Sequence, residues 1–337
     1  MNLSRLDEIL SRFPSKRVLV VGDLMLDEFV WGRVSRISPE APVPVVEVLR
    51  ESYYPGGAAN VARNVRDCGT EAYVMGLIGD DDAGLQLRKI LEGTGIRHET
   101  IRIVPTFQTI VKTRIIARQQ QVVRIDRERV SALSQEIEDS CIETIKGLLP
   151  EIDAIILEDY GKGFLQQTFI DRIAVLAAGK TITADPNPRN KLQWKGVTAV
   201  KPNRSEAFSA ANETWKEPAE HPTQDQALLT VGEKLLRAWA PEQLLITLGD
   251  QGMILFTSGK SPYYIPPRAR EVYDLSGAGD TAIAFYTLAL LAGATAVEAA
   301  EISNYASSVV VAKFGTATVT PQELRDVFAF HNDRELA

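Results

Sequence analysis

The segment Asp274-Leu275-Ser276-Gly277-Ala278-Gly279-Asp280-Thr281 joins small residues and carboxylates to an apolar helical run, Ala282 to Leu291. Small residues at a helix start leave backbone N–H groups open to close approach, and the unpaired donors and dipole there favour an anion such as a phosphate. Gly277, Ala278 and Gly279 are therefore a candidate anion hole. Asp280, in the first turn, is a candidate base for the proton of an attacking hydroxyl. Phosphoryl transfer asks mainly for positioning and charge stabilisation, so one base, backbone donors and a metal ion suffice. The spacing Gly277-x-Gly279-x-x-Ala282 also fits the weaker form of a dinucleotide fingerprint. That fingerprint needs a strand directly before it and an acid at the end of the next strand, whereas Ala296 to Lys313 reads as a helix. A glycine-rich helix start whose aspartate only offsets the dipole is the remaining alternative.

Other segments carry matching chemistry. In Lys201-Pro202-Asn203-Arg204-Ser205-Glu206, Asn203 and Glu206 are three apart and share a helical face. An amide oxygen and a carboxylate suit Mg²⁺ held through water, with nucleotide phosphates completing the shell. The same pair also spells a capping box, and the residues alone leave cap and cap-plus-metal open. Thr247-Leu248-Gly249-Asp250-Gln251-Gly252 follows a strong strand; Gly249 and Gly252 admit either a nucleotide or a hairpin turn. Asp23 and Asp27 stand just past the first strand as acceptors for sugar hydroxyls. Gly56-Gly57-Ala58-Ala59-Asn60 opens a helix that presents N–H groups and an amide. Asp159-Tyr160-Gly161-Lys162-Gly163 adds a cation. Turn and capping chemistry accounts for the Asp23/Asp27 and Gly56 to Asn60 segments when each is taken alone.

These segments need a scaffold that brings them together. Short apolar runs at Val18–Val21, Val74–Ile78, Ile155–Leu157, Thr181–Ala184, Ala199–Val200 and Leu244–Thr247 read as buried strands. Helical patterns lie between them, at Gly84–Leu91, Ile137–Leu149, Phe169–Ala178 and Gln226–Trp239. The alternation predicts an α/β fold with a doubly wound, mostly parallel sheet flanked by helices, and ligands outside the carboxyl ends of its strands. Residues 31–51 and 106–126 break the rhythm with prolines and alternating valines, and predict a small inserted β lid on a domain spanning 1–330, with 331–337 as a tail. A half-apolar sheet with free edges seeks a partner, so a homodimer through the lid is expected.

Composition narrows the classes. With 337 residues, 45% hydrophobic and a formal charge of −7, the chain can build a large core, and its scattered cations argue against a nucleic-acid partner. It has no apolar run of membrane-spanning length and no signal-like start, so no membrane is expected and the location is read as cytoplasmic. Cys68 and Cys141 read as packing residues. His98, His221 and His331 give too little material for a histidine-based site.

Gly56-Gly57-x-x-Asn60, Asn203-x-x-Glu206 and Gly277-Ala278-Gly279-Asp280, in that order over nearly the whole chain, resemble the ribokinase-like (PfkB) carbohydrate kinases. More narrowly, Gly22 to Asp27, Trp31 to Val46, Ala117 to Gln121 and Asp159 to Gly163 resemble the members of that family that act on a heptose 7-phosphate. The resemblance implies a ribokinase-like fold and an ATP- and Mg²⁺-dependent sugar kinase, with a monovalent cation allowed. It implies Asp280 as catalytic base, Gly277 to Gly279 as anion hole, and Asp27, Gly56, Gly57, Asn60 and Lys162 as sugar contacts. Nucleotide and metal contacts fall at Lys201, Asn203, Glu206, Thr247, Gly249, Gly252 and Asn304. Phosphorylation at the anomeric hydroxyl would give the 1,7-bisphosphate on the way to ADP-heptose and the lipopolysaccharide core. A His-x-Gly-His nucleotidyltransferase motif is missing, so a stand-alone kinase is expected. Lys112, Arg114, Arg118 and Arg124 are candidates for the remote phosphate, or protective charges on edge strands. Competing readings are a kinase of fructose or ribose, or an idle sugar- or nucleotide-binding regulator, against which the retained Asp280 argues. Glu158 departs from the family, which more often has serine there, and puts a carboxyl near the site.

Overall fold

Arg17–Gly22 (β1) is apolar from Val18 to Val21, and alternate side chains enter different cores: Val18 and Val20 one, Leu19 and Val21 the other. Period-two alternation on a strand buried on both faces requires helices above and below the sheet. The computed structural model describes residues 1–118, 120–268, 273–313 and 315–335 of the chain. Its further strands are β2 (Leu24–Ile37), β3 (Pro44–Gly57), β4 (Glu71–Met75), β5 (Leu77–Ile78), β6 (Arg102–Ile103), β7 (Ile110–Ala117), β8 (Gln120–Arg127), β9 (Ala154–Glu158), β10 (Thr181–Asp185), β11 (Ala199–Val200), β12 (Gln243–Thr247), β13 (Met253–Thr257) and β14 (Tyr263–Ile265). The helices are α1 (Leu3–Ser11), α2 (Ala58–Asp67), α3 (Asp82–Thr94), α4 (Gln135–Leu148), α5 (Gln167–Leu176), α6 (Arg204–Ala210), α7 (Gln226–Trp239), α8 (Ala278–Leu291), α9 (Ala296–Val310) and α10 (Pro321–Glu335).

The main sheet runs β14-β13-β12-β11-β10-β9-β1-β4. It is parallel from β12 to β4, and β13 and β14 add an antiparallel edge. Helices α1, α2, α3, α8, α9 and α10 contribute to one core, and α4, α5, α6 and α7 to the other. This is the mostly parallel sheet flanked by helices that the alternation of strands and helices predicts. Helix α8 is apolar around almost its whole circumference, with Thr281 to Ala289 buried, which suits a helix packed between the sheet and its neighbours α2 and α9.

A second sheet, β3-β2-β7-β8, rises from the carboxyl end of β1, with only Asp23 between β1 and β2. It reaches further than the sequence pattern indicated. The β2–β3 hairpin extends down to Leu24 and Gly57, because Leu24, Met25, Leu26 and Phe29 are buried at its base. Pro44 and Pro55 lie on β3, an edge strand, where a missing N–H costs no ladder bond. Helix α10 continues into the residues set aside above as a tail, since Thr320 caps it and Leu324 and Phe328 are buried. Residues 336–337 of that tail lie outside the described residues. Among the described residues no helix is long and apolar enough to cross a membrane.

Candidate active site

Gly277 begins α8 with φ of 81°, in the left-handed region, and a Cβ there would lie 2.9 Å from Asn60 Nδ2. Only glycine meets both conditions at low cost. The turn delivers Asp280, 5% exposed, into the gap between α2 and the loop after β9. Asn60 Nδ2, from α2, donates to Asp280 Oδ2 at 2.6 Å, and the Tyr160 hydroxyl donates to Asp280 Oδ1 at 2.8 Å. Thr281 Oγ1 donates to Asn64 Oδ1 at 2.8 Å, which fixes α8 against α2. Burial pushes the Asp280 carboxyl up to about 6, against the opposing pull of Asn60 and Tyr160. A carboxyl at that value is ionised near neutrality yet basic enough to take a proton.

The Tyr160 loop has its own anchor. Asp23, buried at the end of β1, accepts the backbone N–H groups of Tyr160 (3.0 Å), Lys162 (3.0 Å) and Phe164 (3.2 Å). Asp23, paired in the sequence with Asp27 as a sugar acceptor, is thus committed to the loop. Asp27 is also buried and ion-paired with Arg114. Gly56 faces the Asp27 carboxylate, and Gly57, with φ of 60°, packs on the Asp23 carbonyl while capping α2. Lys162, 5% exposed, pairs with Glu128 at 2.7 Å. Arg118 is not brought to this cluster: it sits exposed at the β7–β8 turn, where its guanidinium donates to the Val34 carbonyl at 3.2 Å. Short hairpins put their turn residues at the tip of a lid, not over its base.

Behind the anion loop lies a buried charge pair that sequence spacing did not reveal. Lys201 Nζ is 2.8 Å from Asp185 Oδ2, and a Cβ on Gly279 would lie 3.5 Å from that ammonium. Burial works against the Lys201 charge, but Asp185 and Glu206 outweigh it and hold the ammonium above its usual range. A cation against a helix N-terminus is a site for a multiply charged anion. Beside it Glu158, 2% exposed, has one carboxylate oxygen without a hydrogen-bond partner. Burial first, then the nearby Asp185 and Asp280, push its carboxyl well above the usual range.

Asn203 and Glu206 form a complete capping box on α6: Asn203 Oδ1 accepts from Glu206 N (2.9 Å) and Glu206 Oε2 from Asn203 N (2.7 Å). The cap is real, and it occupies the Asn203 oxygen. The second Glu206 oxygen takes no partner among the described residues, and no group of three or more His, Cys, Asp or Glu there could chelate a metal directly. One free carboxylate oxygen fits a hydrated Mg²⁺ held through water, not a stripped ion. Thr247 ends β12 and pairs with Asn203, while Gly249 and Gly252 form the tight turn into β13, so the hairpin alternative is realised. Asn304 Nδ2 donates to the Pro266 carbonyl at 2.7 Å and ties α9 to the segment after β14.

The profile of the pfkB family carbohydrate kinases matches residues 15–323. The chain belongs to that family. It is accordingly a sugar kinase. It is 41% identical over 317 residues to the bifunctional protein HldE of Desulfatibacillum aliphaticivorans, covering 94% of this chain and 63% of that protein. It is also 41% identical over 316 residues to the bifunctional protein HldE of Caulobacter vibrioides, covering 93% of this chain and 63% of that one. The chain thus spans less than two thirds of the length of these relatives. Among solved structures, Arabidopsis thaliana ribokinase complexed with ribose and ATP superposes with a TM-score of 0.70 at 18% identity, covering 93% of this chain and 98% of that one. Escherichia coli phosphofructokinase-2 in complex with potassium gives 0.73 at 16% identity, covering 94% and 99%. At that identity the likeness speaks for the fold alone.

In the Asp159 to Gly163 segment the charge of Lys162 stands out in the sequence, whereas it is the Tyr160 hydroxyl that reaches Asp280. Asp185, at the end of β10, stands in no motif of the sequence. The one available signal was the position of both at carboxyl ends of adjacent parallel strands, β9 and β10.

Proposed function

We propose that this chain transfers the γ-phosphoryl group of ATP to the anomeric hydroxyl of D-glycero-β-D-manno-heptose 7-phosphate, giving the 1,7-bisphosphate. The observation that carries the reaction type is Asp280: a buried carboxylate, oriented by Asn60 and Tyr160, at the start of α8 and beside the Lys201 ammonium. The sugar oxygen attacks the γ-phosphorus, its proton passes to Asp280, and the bond to the β–γ bridging oxygen breaks, leaving ADP. Lys201 and the N–H groups around Gly277 to Gly279 stabilise charge on the moving phosphoryl group. Mg²⁺, bound through water near Glu206, would neutralise the nucleotide phosphates. The heptose assignment rests on the Trp31 to Val46 and Ala117 to Gln121 blocks, and relatedness to proteins named HldE agrees with it. The product would feed ADP-heptose formation in a cytoplasmic route to the lipopolysaccharide core.

We also read the protein as a homodimer through the lid sheet. Val48, Val123 and Ile125 are large apolar side chains left exposed on its strands. The test of function is a coupled ADP-release assay across heptose 7-phosphate, fructose, fructose 6-phosphate and ribose. A preference of at least a hundredfold in kcat/KM for heptose 7-phosphate is expected; equal turnover of fructose would sink the heptose assignment.

A further inference from the structure

Directly paired residues in a sheet share a face, and every second residue along a strand returns to it. By register, Asp27 on β2 stands opposite Lys112 on β7, and Lys112 stands opposite Asp126 on β8. Arg114, two along from Lys112, pairs with Arg124. One face of the lid base therefore carries Asp27, Lys112, Arg114, Asp126 and Arg124 in neighbouring rows. It is the face from which Asp27 meets Gly56, the residue preceding the Gly57 cap of α2, and α2 carries Asn60 to the base Asp280. The same face borders the Tyr160 loop, since Lys162 and its partner Glu128 both act electrostatically on Lys112.

The charges on this face do not cancel. Asp27 is taken by Arg114, Asp126 by Arg124 at 2.8 Å and Glu128 by Lys162 at 2.7 Å. Lys112 is left over: among the described residues its ammonium has no hydrogen-bond or ion-pair partner, although the side chain is only part-exposed. Burial, with Lys162 and Arg124 pushing the same way, outweighs the pull of Asp126 and Glu128, which are themselves paired with Arg124 and Lys162, and holds it below the usual lysine range. Leaving a half-buried cation unpaired is costly, and an arriving anion relieves the cost.

We propose that Lys112 is the residue that selects a sugar carrying a phosphate at the end remote from the reacting hydroxyl. This rests on the sugar-kinase reading above but not on the sugar being a heptose. The phosphate monoester would take Lys112 as its direct partner, with Arg124 and Lys162 near enough to share its second charge. Arg118, at the lid tip, and Arg114, already matched to Asp27, are not the selecting residues.

The experiment compares wild type with Lys112→Met, which keeps the unbranched stem, and Lys112→Arg, which keeps the charge. KM and kcat are measured for heptose 7-phosphate and for the same heptose without phosphate, and thermal unfolding checks the fold. In wild type the phosphorylated sugar should have the lower KM by ten- to a hundredfold. In Lys112→Met that ratio should collapse to within about threefold through KM rather than kcat, and Lys112→Arg should restore part of it. An unchanged ratio in Lys112→Met overturns the proposal, as does a wild type indifferent to the phosphate. If no heptose is turned over at all, the heptose reading fails, and titration of wild type and Lys112→Met with inorganic phosphate decides Lys112 separately. Weaker binding by Lys112→Met supports it, and equal binding overturns it.

Discussion

The Tyr160 hydroxyl donates to Asp280 Oδ1 across 2.8 Å while its backbone N–H is held by Asp23 at 3.0 Å. One residue thus links the end of β1 to the first turn of α8. A loop between β9 and α5 has no helix or strand geometry to set its position, so the buried Asp23 carboxylate supplies it.

Asp280→Asn should keep the shape and lose the proton acceptor. We expect kcat to fall by about 10³-fold or more while nucleotide affinity stays within about threefold. Steady-state kinetics together with titration of an ATP analogue separate the two. Turnover near the wild-type rate would defeat the base assignment.

The pH profile carries the same assignment. Asp280 works only when ionised, so with its carboxyl at about 6 the rate should decline tenfold per pH unit below that value. The Tyr160 hydroxyl bond favours the ionised form; removing it in Tyr160→Phe should raise the Asp280 value. The acid limb of kcat/KM should therefore move to higher pH by about one unit. A limb that stays in place would mean that another group sets it.

The α/β class was readable from the sequence because β1, β9, β10 and β12 are short apolar runs whose carboxyl ends are polar. That Ser276 to Thr281 opens a helix with an acid in its first turn was readable from small residues ahead of an apolar run, although the same spacing also fits a dinucleotide fingerprint or a plain helix start. The contacts that complete the site were not readable. Asn60 and Asp280 are 220 positions apart, and Tyr160 and Asp280 120, so only the sheet order brings them together. Asn203 and Glu206 read equally as cap and metal pair because a capping box uses the same atoms in the same spacing. Arg118 looked like a ligand residue by charge. Only the β7–β8 register shows it at the lid tip.

Glu158 makes stability depend on pH in a defined direction. Its folded carboxyl holds its proton to a higher pH than the unfolded one, so the folded state binds more protons above the ordinary glutamate range. That contribution is complete at low pH and is lost as pH rises, by at most about 1.4 kcal/mol per unit until the folded group ionises. Glu158→Gln removes the titration and keeps the shape. Urea midpoints between pH 5 and pH 8 should fall less steeply in the variant than in wild type. Parallel curves would place an ionised Glu158 in the folded protein.

The lid gives the last prediction. Val123 pairs with Ile115 and Ile125 with Thr113, so both β8 valine and isoleucine belong to the rows that alternate with Lys112, Arg114 and Arg124. They point to the face opposite Asp27, where they are 45% and 41% exposed. A second copy can cover that face without entering the sugar side. Val123→Asp combined with Ile125→Asp places charge in that interface and spares the core. Sedimentation should show a dimer for wild type and a monomer for the double variant, with thermal unfolding of the monomer at a lower temperature because the lid loses its cover. A wild type that sediments as a monomer at micromolar concentration would rule the interface out. If the double variant remains a dimer, the contact lies on another surface.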